Sequence, residues 1–190
     1  MTEANSREAL IAILQLAYSG ERAAGYAYRG HWHSVSDEDE RREIEKIENE
    51  EWHHRALVGE MLKSLNAEPD GYREIRALVI GKTLAFGCHI VGWLLPMFGA
   101  GKLESGNVRE YEVAARHAHE CRRDDLVDCL LQMAEVEWEH ERYFRTKVLG
   151  HPWGRRLPLW PEVAPKETIR ENFSRTSEMP LAAHGDSLPA

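Results

Sequence analysis

Cysteine is scarce in this chain. Only Cys88, Cys121 and Cys129 occur, and no two form a CxxC pair. That argues against a disulfide framework and against a cysteine-ligated zinc site, and it points to a reducing, cytoplasmic setting. A basic excess is also missing. Lys and Arg number 24 against 32 Asp and Glu, for a net charge of -8, so no basic face is expected and nucleic acid is not an expected partner. The opening MTEANSREAL lacks the basic region and apolar run of a secretory signal. No segment shows the period-two alternation of a strand. Helix breakers are sparse until His151, after which most of the prolines fall.

Long apolar runs are nearly absent too. The exception is residues 83–101, TLAFGCHIVGWLLPMFGAG, which carry no formal charge. The run is almost long enough to span a bilayer, but it holds four glycines, a proline and a histidine. A buried or re-entrant helix pair is the preferred reading over a true span. An apolar face resting on a membrane is the intermediate case.

What the chain has is helix. Its 190 residues are 43% hydrophobic and 29% charged, enough for one all-α domain with a sizeable core. Apolar residues at Leu10, Leu14, Ala17, Ala24 and Tyr28 give a helix over residues 7–32. Ser36, followed by acids, is the expected cap of a second helix over 37–65. Pro69 and Gly71 interrupt, and 72–80 reads as a short helix. KLESGN, residues 102–107, reads as a turn before a third long helix at 108–122. Asp124 or Asp125 caps a fourth that runs to 149, where Gly150 and Pro152 stop it. Residues 1–150 thus form a four-helix bundle whose long crossover contains the apolar segment. Residues 151–190 form a Pro-rich tail, extended and then disordered, pinned by Trp153, Leu157 and Trp160.

Two apolar seams are broken in the same way. In the second helix Ile44, Ile47, Glu51, His54, Val58 and Met61 recur at heptad steps. In the fourth, Leu126, Leu130, Met133, Glu137, His140 and Phe144 do so. Each seam is interrupted by a Glu and a His three apart, a spacing that puts both side chains on one helix face. Glu50 and His53 fall on a mostly polar register and are expected to face solvent. The first helix adds Glu21, between Ala17 and Ala24. The third offers Glu112, preferred over Glu110. The order is Glu, Glu-x-x-His, Glu, Glu-x-x-His, which reads as a duplicated helical hairpin.

Four carboxylates and two imidazoles in a bundle core match the dinuclear metal site of ferritin-like proteins. Two divalent cations would neutralise four carboxylates, whereas burying them unpaired would be prohibitive. Hard carboxylates with imidazole suit iron, with manganese as the alternative. Tyr28, His119 and Tyr143 are candidates for supporting the ligands. Trp93, Leu94, Met97 and Phe98 are expected to line an apolar passage for substrate.

The stretch SGERAAGYAYRGH resembles the first-helix motif of the demethoxyubiquinone hydroxylase family. That motif has a Gly-Glu pair, a small residue, then a Tyr and a Gly further along the helix. Gly20, Glu21, Ala24, Tyr28 and Gly30 fit it. The Gly-rich apolar segment is similar to that family's membrane-associated hairpin, and the resemblance covers about residues 15–147. It implies a ferritin-like, di-iron enzyme of ubiquinone biosynthesis that hydroxylates a quinone ring using dioxygen and an electron donor. The iron ligands would be Glu21, Glu51, His54, Glu112, Glu137 and His140. Two features differ from the family. Its His-Tyr pair, two turns after the third-helix Glu, is replaced by RHAHE, with His117 and His119 but no Tyr. Its final apolar helix is replaced by the Pro-rich tail. The function expected is therefore a di-iron monooxygenase of a quinone-like or other apolar substrate, in the cytoplasm or peripheral at the inner face of a membrane, and compatible with a homo-oligomer. The alternatives are a rubrerythrin- or ferritin-like oxidase of peroxide or ferrous iron, and a metal-free helical interaction module.

Overall fold

The computed structural model describes residues 2–178. Within them the protein is all-helical, without a strand. The helices are α1 (Glu3–Ser34), α2 (Glu38–Ser64), α3 (Gly71–Cys88), α4 (Leu94–Glu120), α5 (Asp124–Gly150) and α6 (Glu167–Glu178), with a 3-10 turn at Gly154–Arg156. Residues 179–190, where the disordered end was expected, lie outside the described part.

Local chemistry accounts for most boundaries. Thr2 caps α1 by accepting from the Asn5 amide. The cap of α2 is Asp37, not Ser36, and its carboxylate accepts from the amides of Asp39 and Glu40. An ionised cap suits the positive end of the helix better than a hydroxyl. Asp70 does the same for α3, accepting from Tyr72 and Arg73. Neither Asp124 nor Asp125 caps α5. Asp125 instead takes a salt bridge of 2.8 Å from Arg123.

The uncharged run does not form one element. It supplies the end of α3, a turn, and the start of α4. Gly92 allows the turn, with φ of +79°, a value that L side chains rarely adopt. No helix among the described residues is long and apolar enough to cross a membrane.

The largest departure from expectation is α4. The predicted turn at 102–107 is helix interior, and the helix is continuous from Leu94 to Glu120. Met97, Gly101, Glu104, Val108, Tyr111, Ala115 and Ala118 are all buried along it, a single seam in heptad steps. Gly106 and Asn107 disfavour helix locally, but each by no more than about 1 kcal/mol, and burial of a seven-member seam outweighs them.

The long helices pack as two hairpins, α1 with α2 and α4 with α5, which meet through α1–α4 and α2–α5 contacts. Two apolar clusters result. One contains Leu10, Leu14, Val58, Leu62 and Leu130. The other contains Ile44, Ile47, Met97, Phe144 and Val148. In each long helix the buried acids fall between the stretches that feed these clusters. α3 lies close against α1: a Cβ on Gly81 would come within 2.6 Å of the Ala23 carbonyl oxygen. Glu74 of α3 is clamped by Arg55 at 2.6 Å and Arg22 at 3.0 Å.

The C-terminal segment is more structured than a strap. Trp160 is buried, and its indole donates to Glu141 at 2.7 Å. Arg145 pairs with the same carboxylate at 2.6 Å and donates to the carbonyls of Trp160 and Pro161. Of the three expected anchors, Trp160 is the one fully seated; Trp153 is 61% exposed. α6 was not expected. It docks on α4 and α5 through buried Ile169 and through Arg170, which reaches Glu135 at 2.6 Å and Asp128 at 2.7 Å. Its short amphipathic pattern is masked in the sequence by the surrounding prolines.

Candidate metal centre

Each hairpin delivers the same set of side chains to the middle of the molecule. From α1 and α2 come Glu21, Glu51 and His54. From α4 and α5 come Glu104, Glu137 and His140. They form two groups, Glu21–Glu51–His54–Glu137 and Glu51–Glu104–Glu137–His140, each with its ligand atoms within 4.8 Å of one another and every member buried. Glu51 and Glu137 belong to both.

The structure therefore brings together five of the six predicted ligands. The sixth, Glu112, is not among them. It is half-buried on the flank of α4, near Arg109 and Arg116 of its own helix. Its rival Glu110 is also outside both groups. Glu104 takes the third-helix place, one residue off the register that favoured Glu112, because the α4 seam runs through 104 and 111. A signal for it was present in the sequence. Tyr28 follows Glu21 by seven residues, and Tyr111 follows Glu104 by seven.

The two tyrosines are used reciprocally. The Tyr28 hydroxyl donates to Glu104, and the Tyr111 hydroxyl donates to Glu21. Each carboxylate is thus held from the other hairpin. Asn107, expected in a turn, donates its amide to Glu104 at 3.0 Å and to Glu137 at 3.5 Å.

The imidazoles differ in their surroundings. His54 Nδ1 lies 2.9 Å from Glu137. His140 Nδ1 faces Glu51 at 3.3 Å and Glu137 at 3.6 Å, and its Nε2 is bonded to Glu50 at 2.9 Å. Glu50 therefore does not simply face solvent as expected, while His53 does. The other two supporting candidates lie away from the cluster. His119 is exposed and pairs with Asp124. The Tyr143 hydroxyl has no partner and sits in the field of Glu40, Glu43 and Asp37, toward the start of α2.

The electrostatics are those of acids crowded together out of water. Burial raises Glu21, Glu51 and Glu104 above the ordinary carboxylate range, and the charge of Glu137 raises them further. Burial also opposes ionisation of Glu137, but hydrogen bonds from His140 and His54 overcome it and hold Glu137 well below that range. Burial would lower both imidazoles; Glu137 raises them instead, with Glu50 and Glu51 adding to the effect at His140. Both oxygens of Glu51, Oε2 of Glu21 and Nδ1 of His140 are buried without a hydrogen-bond partner. Buried polar atoms are rarely left unpaired. Together these atoms leave carboxylate and imidazole donors free to hold a metal ion.

Two cavities approach the cluster. A cavity of about 170 Å³ is lined by Glu21, Asn107, Glu110 and Tyr111. Glu110 there is pushed up to about 7, by burial and by the charges of Glu21 and Glu137. The second, of about 510 Å³, is apolar and lies between α1, α3 and the start of α4. It reaches Tyr28, the residue bonded to Glu104. Its walls include Leu84, Val91, Leu95 and Leu103. The predicted passage residues Trp93, Leu94, Met97 and Phe98 lie on the opposite face, packed into the core.

The fold and site define an all-helical protein with a buried carboxylate–histidine cluster able to hold metal ions. No family model, curated protein or solved structure matches the chain.

Proposed function

We propose that the protein is a dioxygen-activating di-iron oxidoreductase that hydroxylates an apolar organic substrate of quinone type. Its scaffold is a ferritin-like four-helix bundle of α1, α2, α4 and α5, with α3 in the crossover. The observation that carries this reading is the pair of ligand groups joined through Glu51 and Glu137, set one tyrosine away from an apolar cavity of about 510 Å³. The resemblance to the demethoxyubiquinone hydroxylases is strengthened by the register of α4. With Glu104 as the third-helix carboxylate, Tyr111 stands two turns on, where that family has the Tyr of its His-Tyr pair. Glu110 stands in place of the His.

Glu21 and His54 would hold one ion, Glu104 and His140 the other, with Glu51 and Glu137 shared. When bound, two irons supply the redox chemistry that activates dioxygen. The chain's own residues set the surroundings. Tyr28 and Tyr111 fix the two unshared carboxylates. Glu50 holds Nε2 of His140, leaving Nδ1 for an ion, the usual way a carboxylate orients a ligating imidazole. Ile47, Phe144 and the adjoining apolar cluster keep the site dry. The apolar wall formed by Leu84, Val91, Leu95 and Leu103, each about half exposed, supports a peripheral membrane contact through which such a substrate reaches the cavity. An electron donor completes the reaction.

Metal content is the first test, with about two irons per chain expected for a site of this kind. Dioxygen uptake driven by a short-chain quinone analogue and a reductant is the second. Peroxide turnover without any organic substrate would replace this reading with a rubrerythrin-like one, and a chain that binds no metal would leave an interaction module.

A further inference from the structure

The apolar cavity contains one buried, unpartnered polar group that the metal chemistry does not use. None of its lining side chains is charged, and only a few carry a polar atom: Tyr28, His31, Thr83 and Cys88. Three of these are committed or weak. The Tyr28 hydroxyl is bonded to Glu104. Thr83 donates to the Val79 carbonyl at 2.8 Å. Cys88 is a neutral thiol, its ionisation pushed up to about 11 by burial, and a thiol is a weak hydrogen-bonding group.

His31 is different. It is 98% buried, from a relative exposure of 2%, and its Nε2 has no hydrogen-bond partner. Its ring lies nearly parallel to those of Phe144, at 6.0 Å and 16°, and Tyr28, at 6.4 Å and 20°. This packing fixes the imidazole without satisfying it. Burial lowers its pKa to about 4, so the ring is neutral near pH 7. A neutral imidazole has one nitrogen that donates and one that accepts. An unpaired buried polar group is a standing liability, unless something that enters the cavity pairs with it.

We infer that this cavity binds a neutral, largely apolar molecule that presents a single hydroxyl or carbonyl oxygen to His31. The volume is that of a small-molecule site, in which a few polar groups among apolar walls fix orientation. Charged ligands have no counter-charge here, and a strongly polar molecule would leave most of its groups unpaired. His31 is thus a specificity-determining residue, placed one helical turn beyond Tyr28 on α1. The inference deepens the oxidoreductase reading, and rests on it only in equating this ligand with the substrate.

The test is equilibrium binding of 2-naphthol and naphthalene to the full chain as purified, followed by their fluorescence. The two probes share a shape and differ by one hydroxyl, which can serve either nitrogen of the ring. The parent chain should bind 2-naphthol about tenfold more tightly, the value of one buried hydrogen bond. His31→Leu should bring the two affinities to within about twofold by weakening 2-naphthol alone, and His31→Gln should restore part of the preference. The melting temperature of His31→Leu should be unchanged or higher, since the variant removes an unpaired polar group. Equal affinities in the parent chain, a parallel loss for both probes in His31→Leu, or a lower melting temperature would each overturn the inference. Neither iron content nor turnover enters the measurement, so the binding preference and the di-iron reading can fail separately.

Discussion

The two hairpins of this molecule supply matching ligands and unmatched surroundings. Glu21, Glu51 and His54 on α1 and α2 correspond to Glu104, Glu137 and His140 on α4 and α5, and Tyr28 corresponds to Tyr111. Beyond that the halves diverge. His140 has Glu50 at 2.9 Å behind its ring, whereas Val136 stands at the corresponding position before Glu137. α3 packs along α1 of the first hairpin and, with α1 and the start of α4, encloses the apolar cavity. The second is covered by the C-terminal segment, through Trp160 and α6. The two halves share only the set of buried Glu, His and Tyr side chains. What sets one half apart is the element inserted beside it, which walls the apolar cavity.

The widest break in this comparison comes from the shared carboxylates. Glu137→Ala should remove both ions, since Glu137 belongs to both groups, and metal content should fall from about two per chain toward zero. Glu21→Ala and Glu104→Ala should each lose about one ion by the same logic, while Glu112→Ala should lose none. A loss with Glu112→Ala and retention with Glu104→Ala would reverse the assignment on α4.

Acidity separates the metal-free chain from the loaded one. Burial raises the folded-state values of Glu21, Glu51 and Glu104 above the ordinary carboxylate value of about 4.5. Groups raised in the folded state stabilise it fully below the unfolded value and lose that contribution as pH rises. The imidazoles, also raised, lose theirs above about 6.5. Glu137, lowered, acts oppositely, but only as pH falls through and below 4.5. Buried His31, lowered to about 4, opposes this trend only up to about pH 6.5, so the metal-free chain should melt at progressively lower temperature from about pH 6.5 to pH 8. The loaded chain should show the opposite slope, because ions bind the deprotonated ligands. Thermal melts with and without chelator read both slopes.

Smaller effects probe the asymmetry itself. Glu50→Gln should weaken the ion beside His140 by about tenfold and leave the one beside His54 unchanged, as measured by two-site titration. Tyr28→Phe and Tyr111→Phe each remove one hydrogen bond to a carboxylate, for about 1.5–3 kcal/mol of stability apiece. Equal losses in denaturant melts would show that the reciprocal pairs are equivalent. A larger loss for Tyr28→Phe would show that the cavity beside it matters.

Much of this was legible from residue order. The seams of α1, α2 and α5, with their interrupting Glu and His residues, follow from heptad spacing, and the structure places those five ligand-type side chains together. The register of α4 was not legible in the same way. Ser105, Gly106 and Asn107 carry turn propensities, and only burial against α1 and α5 shows that these weak preferences lose. Losing the first part of α4, residues 94–107 or about four turns, hid Glu104 and made Tyr111 look irrelevant. The α3 extension and α6 were missed for related reasons, since an uncharged run and a Pro-rich segment both disguise a helical stripe. His31 was invisible for another reason: an unpaired nitrogen is a property of packing, and no spacing rule reports it.

The crossed tyrosines carry one last implication. A phenol on α1 anchors an acid on α4, and a phenol on α4 anchors an acid on α1. Neither helical pair can finish assembling its own half of the centre. A fragment ending after α2 would present Glu21 with nothing to steady it, and could fold no working half-site by itself.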